Sequence, residues 1–280
     1  LPRRGLLYML AASFLFAVMA NLVKRLPAGF PVQEIVFFRS LLNVVFTLFL
    51  LWRYRAPVLG THRLSLLARG VFGYAALSFH FYALHQMPVA DALVIHNTSP
   101  LIVALLAPVW LGERVGARTL AWSAVGLAGV VVVLRPTGAP SLGPGLAALA
   151  GATLSSFAYL TIRAIGTREH PLTVVLYLPL VSVLASLGPT AHDHVIPTAL
   201  EWLVLLGIGL TTVVAQICLT AALQLERASV ATSLSYTSVA FAAAIAAVAF
   251  GEIPEAGTVL GAGLIACAAI RISAQVRRDV

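Results

Sequence analysis

Apolar residues run along this chain in blocks of about twenty, the length that crosses a bilayer, divided by short breaks rich in proline, glycine and charge. At a rise of about 1.5 Å per residue, a hydrocarbon core of roughly 30 Å takes a helix of about 20 residues. Ten blocks meet that length, near 6–24, 33–53, 66–86, 91–111, 119–135, 145–164, 172–188, 200–222, 229–250 and 257–273. The fifth and tenth are short, and His80 interrupts the third. Barrel strands would alternate polar and apolar residues, whereas these runs are continuous, so the pattern predicts helices. The breaks at Pro27 to Pro31, Ala56 to His62, Met87-Pro88, Pro136 to Pro144 and Gly188 to Pro197 are turn-rich. None is long enough for a soluble domain.

The pattern also repeats. At a shift of 139 residues Leu111-Gly112-Glu113 falls on Phe250-Gly251-Glu252. In the same register Gly70 meets Gly209, Ala83-Leu84 meets Ala222-Leu223, Thr98-Ser99 meets Thr237-Ser238, and Lys24 meets Arg163. A one-residue adjustment near Pro31 and Pro171 keeps the halves aligned. The expected organisation is a first five-helix repeat over 1–135, a linker over 136–144, a second repeat over 145–273 and a tail over 274–280. Five spans is an odd number, so the second copy must enter the bilayer from the opposite side. The expected fold class is therefore an all-α integral membrane protein of ten transmembrane helices, built as two inverted five-helix repeats. Such duplication points first to a transporter.

Composition excludes a soluble reading: 60% of residues are hydrophobic and 10% charged, against about 25% charged in globular domains. A net charge of +8 could suggest nucleic acid, but the charges are placed for a bilayer. With a cytoplasmic N-terminus, Arg3, Arg4, Arg53, Arg55, Arg63, Arg69, Arg114, Arg118, Arg163, Arg168, Arg227, Arg271, Arg277 and Arg278 fall inside. Lys24, Arg25 and Arg135 fall outside, and Arg39 is buried in the second span. Fourteen against three is a positive-inside bias that places both termini in the cytoplasm. Arg3-Arg4 before an apolar run ending near Ala20 has the look of a secretory signal. The segment aligns with Gly145 to Arg163, so it reads as the first helix of the mature fold. Cys218 and Cys267 lie in apolar segments and suit small buried hydrophobes rather than a disulfide or metal set.

Several motifs carry a family likeness. Gly112-Glu113-Arg114 after the fourth helix, Gly251-Glu252 after the ninth, the Pro-x-x-x-Ala-x-x-x-Pro run from Pro100 to Pro108, and Phe38-Arg39 resemble the EamA-type branch of the drug/metabolite transporter superfamily. Phe79-His80-Phe81-Tyr82 is similar to the third helix of YddG-type exporters of amino acids and related metabolites. The resemblance implies a basket of helices 1 to 4 and 6 to 9 around one cavity, with helices 5 and 10 at the periphery. It also admits exporters of drug-like cations and importers of S-adenosylmethionine or riboflavin type.

Candidate cavity residues follow from the cost of polar side chains in lipid, which turns them toward protein or a wet space. Arg39 could hold a substrate carboxylate through a bidentate, charge-assisted pair, with Asn43 one turn on along its face. The alternative for Arg39 is a strut between helices or a pair with Glu34. His80 at mid-span, beside Tyr82, could offer a protonatable donor. His96 and Asn97 precede Pro100, which loosens the helix and exposes carbonyls, or alternatively kinks it for packing alone. Across the repeat they map onto Ser235 and Tyr236, while Leu77 maps onto Gln216. Tyr159, Tyr177 and Tyr236 could add aromatic walls. Glu113 and Glu252, each at a helix end, read as caps or repeat-interface groups. Small residues over Ala124 to Gly129 and Gly261 to Ala269 suit close packing, as scaffold or as a dimer face.

No phosphate loop, zinc pattern or nucleophile elbow is present, so no catalytic residue, metal ligand or cofactor is assigned. His192-Asp193-His194 reads as a solvated loop. The expectation is a secondary carrier of the bacterial inner membrane, monomer or homodimer, moving small organic solutes by alternating access. Amino acids or related metabolites, exported, are the first expectation for cargo. The energy source is the solute gradient or an ion or proton gradient.

Overall fold

The computed structural model describes residues 4–27, 30–87, 89–134, 142–192, 195–251 and 256–278. Twelve α-helices among these residues build ten spans long and apolar enough to cross a membrane. The first three spans are α1 (Arg4–Val23), α2 (Val32–Tyr54) and α3 (Arg63–Gln86). The fourth is divided into α4 (Val89–His96) and α5 (Ser99–Leu111), and the fifth is α6 (Ala117–Leu134). In the second half α7 (Leu142–Ile165), α8 (Pro171–His192) and α9 (Ala199–Leu225) are unbroken. The ninth span is divided into α10 (Ala228–Leu234) and α11 (Thr237–Phe250), and α12 (Ala256–Arg278) closes the set. α3 runs unbroken through His80: the imidazole interrupts the hydropathy and leaves the backbone ladder intact.

The packing has the symmetry of the duplication. α1 packs on α9 and α3 on α7, and exchanging the halves turns one pairing into the other. α2 packs on α8, and α6 on α12, so each of these spans meets its own repeat mate. Helix ends repeat as well. Gly112 and Gly251 both have φ of 66° and stop α5 and α11 in the left-handed conformation that glycine adopts without a Cβ clash. The duplicated Gly-Glu is thus a helix stop first. α9 begins with a reciprocal cap: Glu201 N–H donates to Thr198 Oγ1 at 3.4 Å, and Thr198 N–H donates to Glu201 Oε2 at 2.6 Å.

Small residues let α6 and α12 approach closely. A Cβ on Gly129 would lie 2.8 Å from the Gly261 carbonyl oxygen, and one on Gly261 would lie 2.7 Å from that of Gly129. Part of the small-residue stripe therefore serves this internal seam. Large apolar side chains such as Trp52, Leu64, Val109 and Val248 point outward, where lipid would cover them.

The bundle end that carries the Gly112 stop is tied by polar links between the repeats. Glu113 Oε1 accepts from Arg163 Nε at 2.5 Å, and Glu113 Oε2 accepts from the Ala228 N–H at 3.0 Å. Arg163 also donates to the Gln224 carbonyl at 3.0 Å. The partner of Glu113 is thus an arginine of the other repeat. Nearby, Glu169 Oε1 accepts from the Thr61 N–H at 2.7 Å, Thr61 Oγ1 at 2.6 Å and the His62 N–H at 2.7 Å, with His62 Nδ1 at 3.0 Å. Burial alone pushes the Glu169 carboxyl upward in pKa, but these hydrogen bonds outweigh it and hold the pKa down to about 2. Glu252 and Asp193-His194 lie outside the described residues.

Candidate functional site

Two broken spans face each other across the bundle. In the fourth, Pro100 brings no N–H to the ladder, and the helix opens at Asn97-Thr98. Asn97 Nδ2 donates to the Leu93 carbonyl at 2.8 Å, and Thr98 Oγ1 to that of Ile95 at 2.6 Å. The ninth span opens at the repeat-related Ser235-Tyr236 without a proline. There Ser235 Oγ donates to the Thr232 carbonyl at 2.7 Å, and Thr237 Oγ1 to that of Leu234 at 2.7 Å. The Leu93, Ile95 and Thr232 carbonyls also accept the backbone N–H of Asn97, Thr98 and Ser235, so the short polar side chains add a second donor at each break and help to keep its polar groups satisfied at membrane depth. Neighbouring spans steady both breaks: Ser13 of α1 donates to the Leu234 carbonyl at 3.4 Å, and Ser156 of α7 to that of Ser99 at 3.1 Å.

Between the breaks lies a cavity of about 590 Å³, within the range of small-molecule sites. Its wall follows α1 from Met9 and reaches Lys24 just past the helix end, about 22 Å at a helical rise. Arg39 of α2, Arg69 of α3, His96 and Asn97 of the first break, Tyr159 of α7, Gln216 of α9 and Ser235 of the second break all line it. Its charge is one-sided. Lys24, Arg39 and Arg69 are on the wall, and no Asp or Glu is among the described lining residues. Arg39 makes no ion pair or hydrogen bond among the described residues, and its buried Nε is unpartnered. Glu34, its sequence-based alternative partner, accepts instead from the Val195 N–H at 3.0 Å.

Arg69 is the residue that sequence reasoning misassigned. The positive-inside pattern places it with the cytoplasmic charges, yet its side chain is 2% exposed and turned into the cavity. One Nη donates to Gln216 Oε1 at 3.2 Å, and its Nε has no partner. Two signals were available: Arg69 sits six residues inside α3, and Gly73 follows one turn later. A Cβ at Gly73 would collide with the Arg69 guanidinium, so this glycine leaves the room in which the side chain lies.

Five expected cavity residues lie elsewhere. His80 stands behind the wall, its ring 4.2 Å from that of His96, which does reach the cavity. Asn43 is buried away from the cavity, with its Oδ1 unpartnered. Tyr82 is 52% exposed on the outer face, because it lies two residues, roughly 200°, round the helix from His80. Tyr236 is 1% exposed and packs with Val130 and Ile265, its ring against Gly126 of α6. Tyr177 donates to the Leu59 carbonyl at 2.7 Å and anchors a loop. The fifth span, expected at the periphery, supplies Val133 and Leu134 to the cavity wall.

The sequence model described as the EamA-like transporter family matches residues 3–135 and again residues 144–274. The chain is 34% identical over 277 residues to the pseudopaline exporter CntI of Pseudomonas aeruginosa, covering 98% of this chain and 97% of that one. It is 26% identical to a riboflavin transporter of Vibrio cholerae, covering 94% of this chain and 91% of that protein. A solved crystal structure superposes with a TM-score of 0.88 over 98% of each chain at 23% identity, a likeness of fold.

Proposed function

Because this chain belongs to the EamA-like transporter family, we propose that it is a secondary carrier that moves carboxylate-bearing organic solutes, amino acids or related metabolites, outward by alternating access. The observation that carries the reading is the pair of arginines, Arg39 and Arg69, on the wall of one cavity with no described acidic lining residue. A guanidinium stays charged in proteins and holds a carboxylate in a bidentate fork. Leaving two of them in a membrane-spanning bundle is costly unless the solute supplies the counter-charge. The same field repels drug-like cations.

The two unequal ends of the bundle support the reading of alternation. The cavity wall runs toward the end where Lys24 and Ala246 lie, while the opposite end is held by the Glu113, Arg163 and Glu169 links. Opening those links while the other end closes would present the cavity to the opposite face, with α4/α5 and α10/α11 bending at their breaks. The seat is the bacterial inner membrane with cytoplasmic termini. Removing Arg69 from the inside charges leaves thirteen against three, and the bias stands. Export is favoured by similarity to a protein named as an exporter. Import of a vitamin-like metabolite is the second reading, favoured by the likeness to a riboflavin transporter.

The test is efflux from proteoliposomes loaded with a mixed metabolite pool and read by mass spectrometry, with and without a proton gradient. Carboxylates should leave and amine-only solutes stay behind. Selective loss of cations or riboflavin, with carboxylates retained, would contradict the reading. Dependence on the proton gradient decides the energy source.

A further inference from the structure

Arg39 and Arg69 both line the cavity, and each lies about two turns inside the N-terminal end of its helix, α2 and α3, which are neighbouring spans in the sequence. Consecutive spans run antiparallel, so the two side chains are anchored toward opposite ends of the bundle rather than at one level. Each is incomplete in the same way: Nε is buried without a partner in both, and neither makes an ion pair among the described residues. Among the described residues, the only hydrogen bond made by either is that of Arg69 to Gln216, a neutral amide, which orients the fork and cancels none of its charge.

This asymmetry constrains the cargo beyond the presence of a carboxylate. A neutral amino acid brings one carboxylate and one ammonium, so it would complete one arginine and place its ammonium in a field of the same sign. A solute with two anionic groups completes both. Resting on the reading of this cavity as the carrier's solute site, we propose that it selects solutes bearing two spaced acidic groups, one seated on Arg39 and the other on Arg69. Linear dicarboxylates and amino-acid derivatives with an added carboxylate are of this class. Monocarboxylates and simple amino acids bind one guanidinium and leave the other unpaired. The volume of about 590 Å³ leaves room for a spacer between the acids.

The experiment measures thermal unfolding of the purified protein in detergent at constant ionic strength and pH 7, titrated with succinate, glutarate, adipate, butyrate, leucine and tetraethylammonium. At least one dicarboxylate is expected to protect at a concentration tenfold or more below butyrate and leucine. Arg39→Gln and Arg69→Gln should each bring that dicarboxylate down to the level of butyrate. Should Arg69→Gln fail to fold, Gln216→Glu provides the second variant, since it plants a carboxylate beside Arg69 and neutralises it in place; it should abolish the same preference. Equal protection by butyrate and the dicarboxylates, or a preference that survives both Arg69→Gln and Gln216→Glu, overturns the two-acid proposal and leaves the carboxylate carrier standing. Protection by tetraethylammonium alone, with no response to any anion, overturns both.

Discussion

Gly73 shows how narrowly the cavity is shaped around single side chains. A Cβ there would meet both the Arg69 guanidinium and Leu178. Gly73→Ala is therefore expected to cut carboxylate transport by about tenfold or more through displacement of one charge-assisted pair, roughly 1.5–3 kcal/mol, measured as initial uptake at matched protein content. Tyr82→Ala, on the outer face, should leave transport unchanged in the same assay. Arg69 also marks where sequence reading stops. Counting a basic residue near a span end as cytoplasmic follows a bias of loops and helix ends, and a side chain of that length can turn either way from the same Cα. Only the space above Gly73 and the amide of Gln216 decide that it turns inward. Arg39 was legible as a candidate because an ionisable group two turns inside a span tends to turn toward protein or a wet space. His80 was half legible: its burial was foreseen, but a second imidazole, His96, takes the wall position.

Among elements, the two breaks show which local chemistry can be read from sequence. Pro100 announces the opening of the fourth span, because proline removes a donor wherever it stands. The ninth span opens with no such marker. Its cue is the serine and threonine content of Ser233 to Ser238, whose hydroxyls bond carbonyls one turn back. The repeat alignment was the better guide, since Ser235 and Tyr236 fall where His96 and Asn97 do. Tyr236 then departs from its mate: its ring is large enough to fill the seam between α6 and α12 instead of the cavity. Gly126→Val would drive a side chain into that ring. The expected result is a stability loss of about 1–3 kcal/mol, typical of overpacking, read as a lower unfolding midpoint. At the polar end, Glu169 has a depressed pKa, so it stabilises the fold above the carboxylate's unfolded value, about 4.3. That contribution drains away as pH falls toward the folded value of about 2. Glu169→Gln should lower the unfolding midpoint at pH 7 and flatten its dependence between about pH 4 and 2.

For the whole molecule, ten spans and their duplication were legible because membrane thickness fixes span length and each copy carries the same stops. The partner of Glu113 was not, since residues 113 and 163 meet only after the halves close on each other. That link suggests a handle on alternation. In a protein with Cys218 and Cys267 replaced by serine, Ser13→Cys reports on the cavity near its tied end. Adding Arg163→Ala should raise labelling of that cysteine by a membrane-impermeant maleimide from the Glu113 face several-fold; unchanged labelling would separate the latch from gating. The most direct measurement of the central claim is counterflow. Proteoliposomes are preloaded with the unlabelled carboxylate found in the efflux screen, then diluted into a trace of its labelled form. The carrier should accumulate label transiently above equilibrium, with the overshoot lost in Arg39→Ala that inserts and folds normally. Simple equilibration without overshoot, or an overshoot untouched by Arg39→Ala, would contradict a cavity that binds its solute through these arginines and offers it to each face in turn.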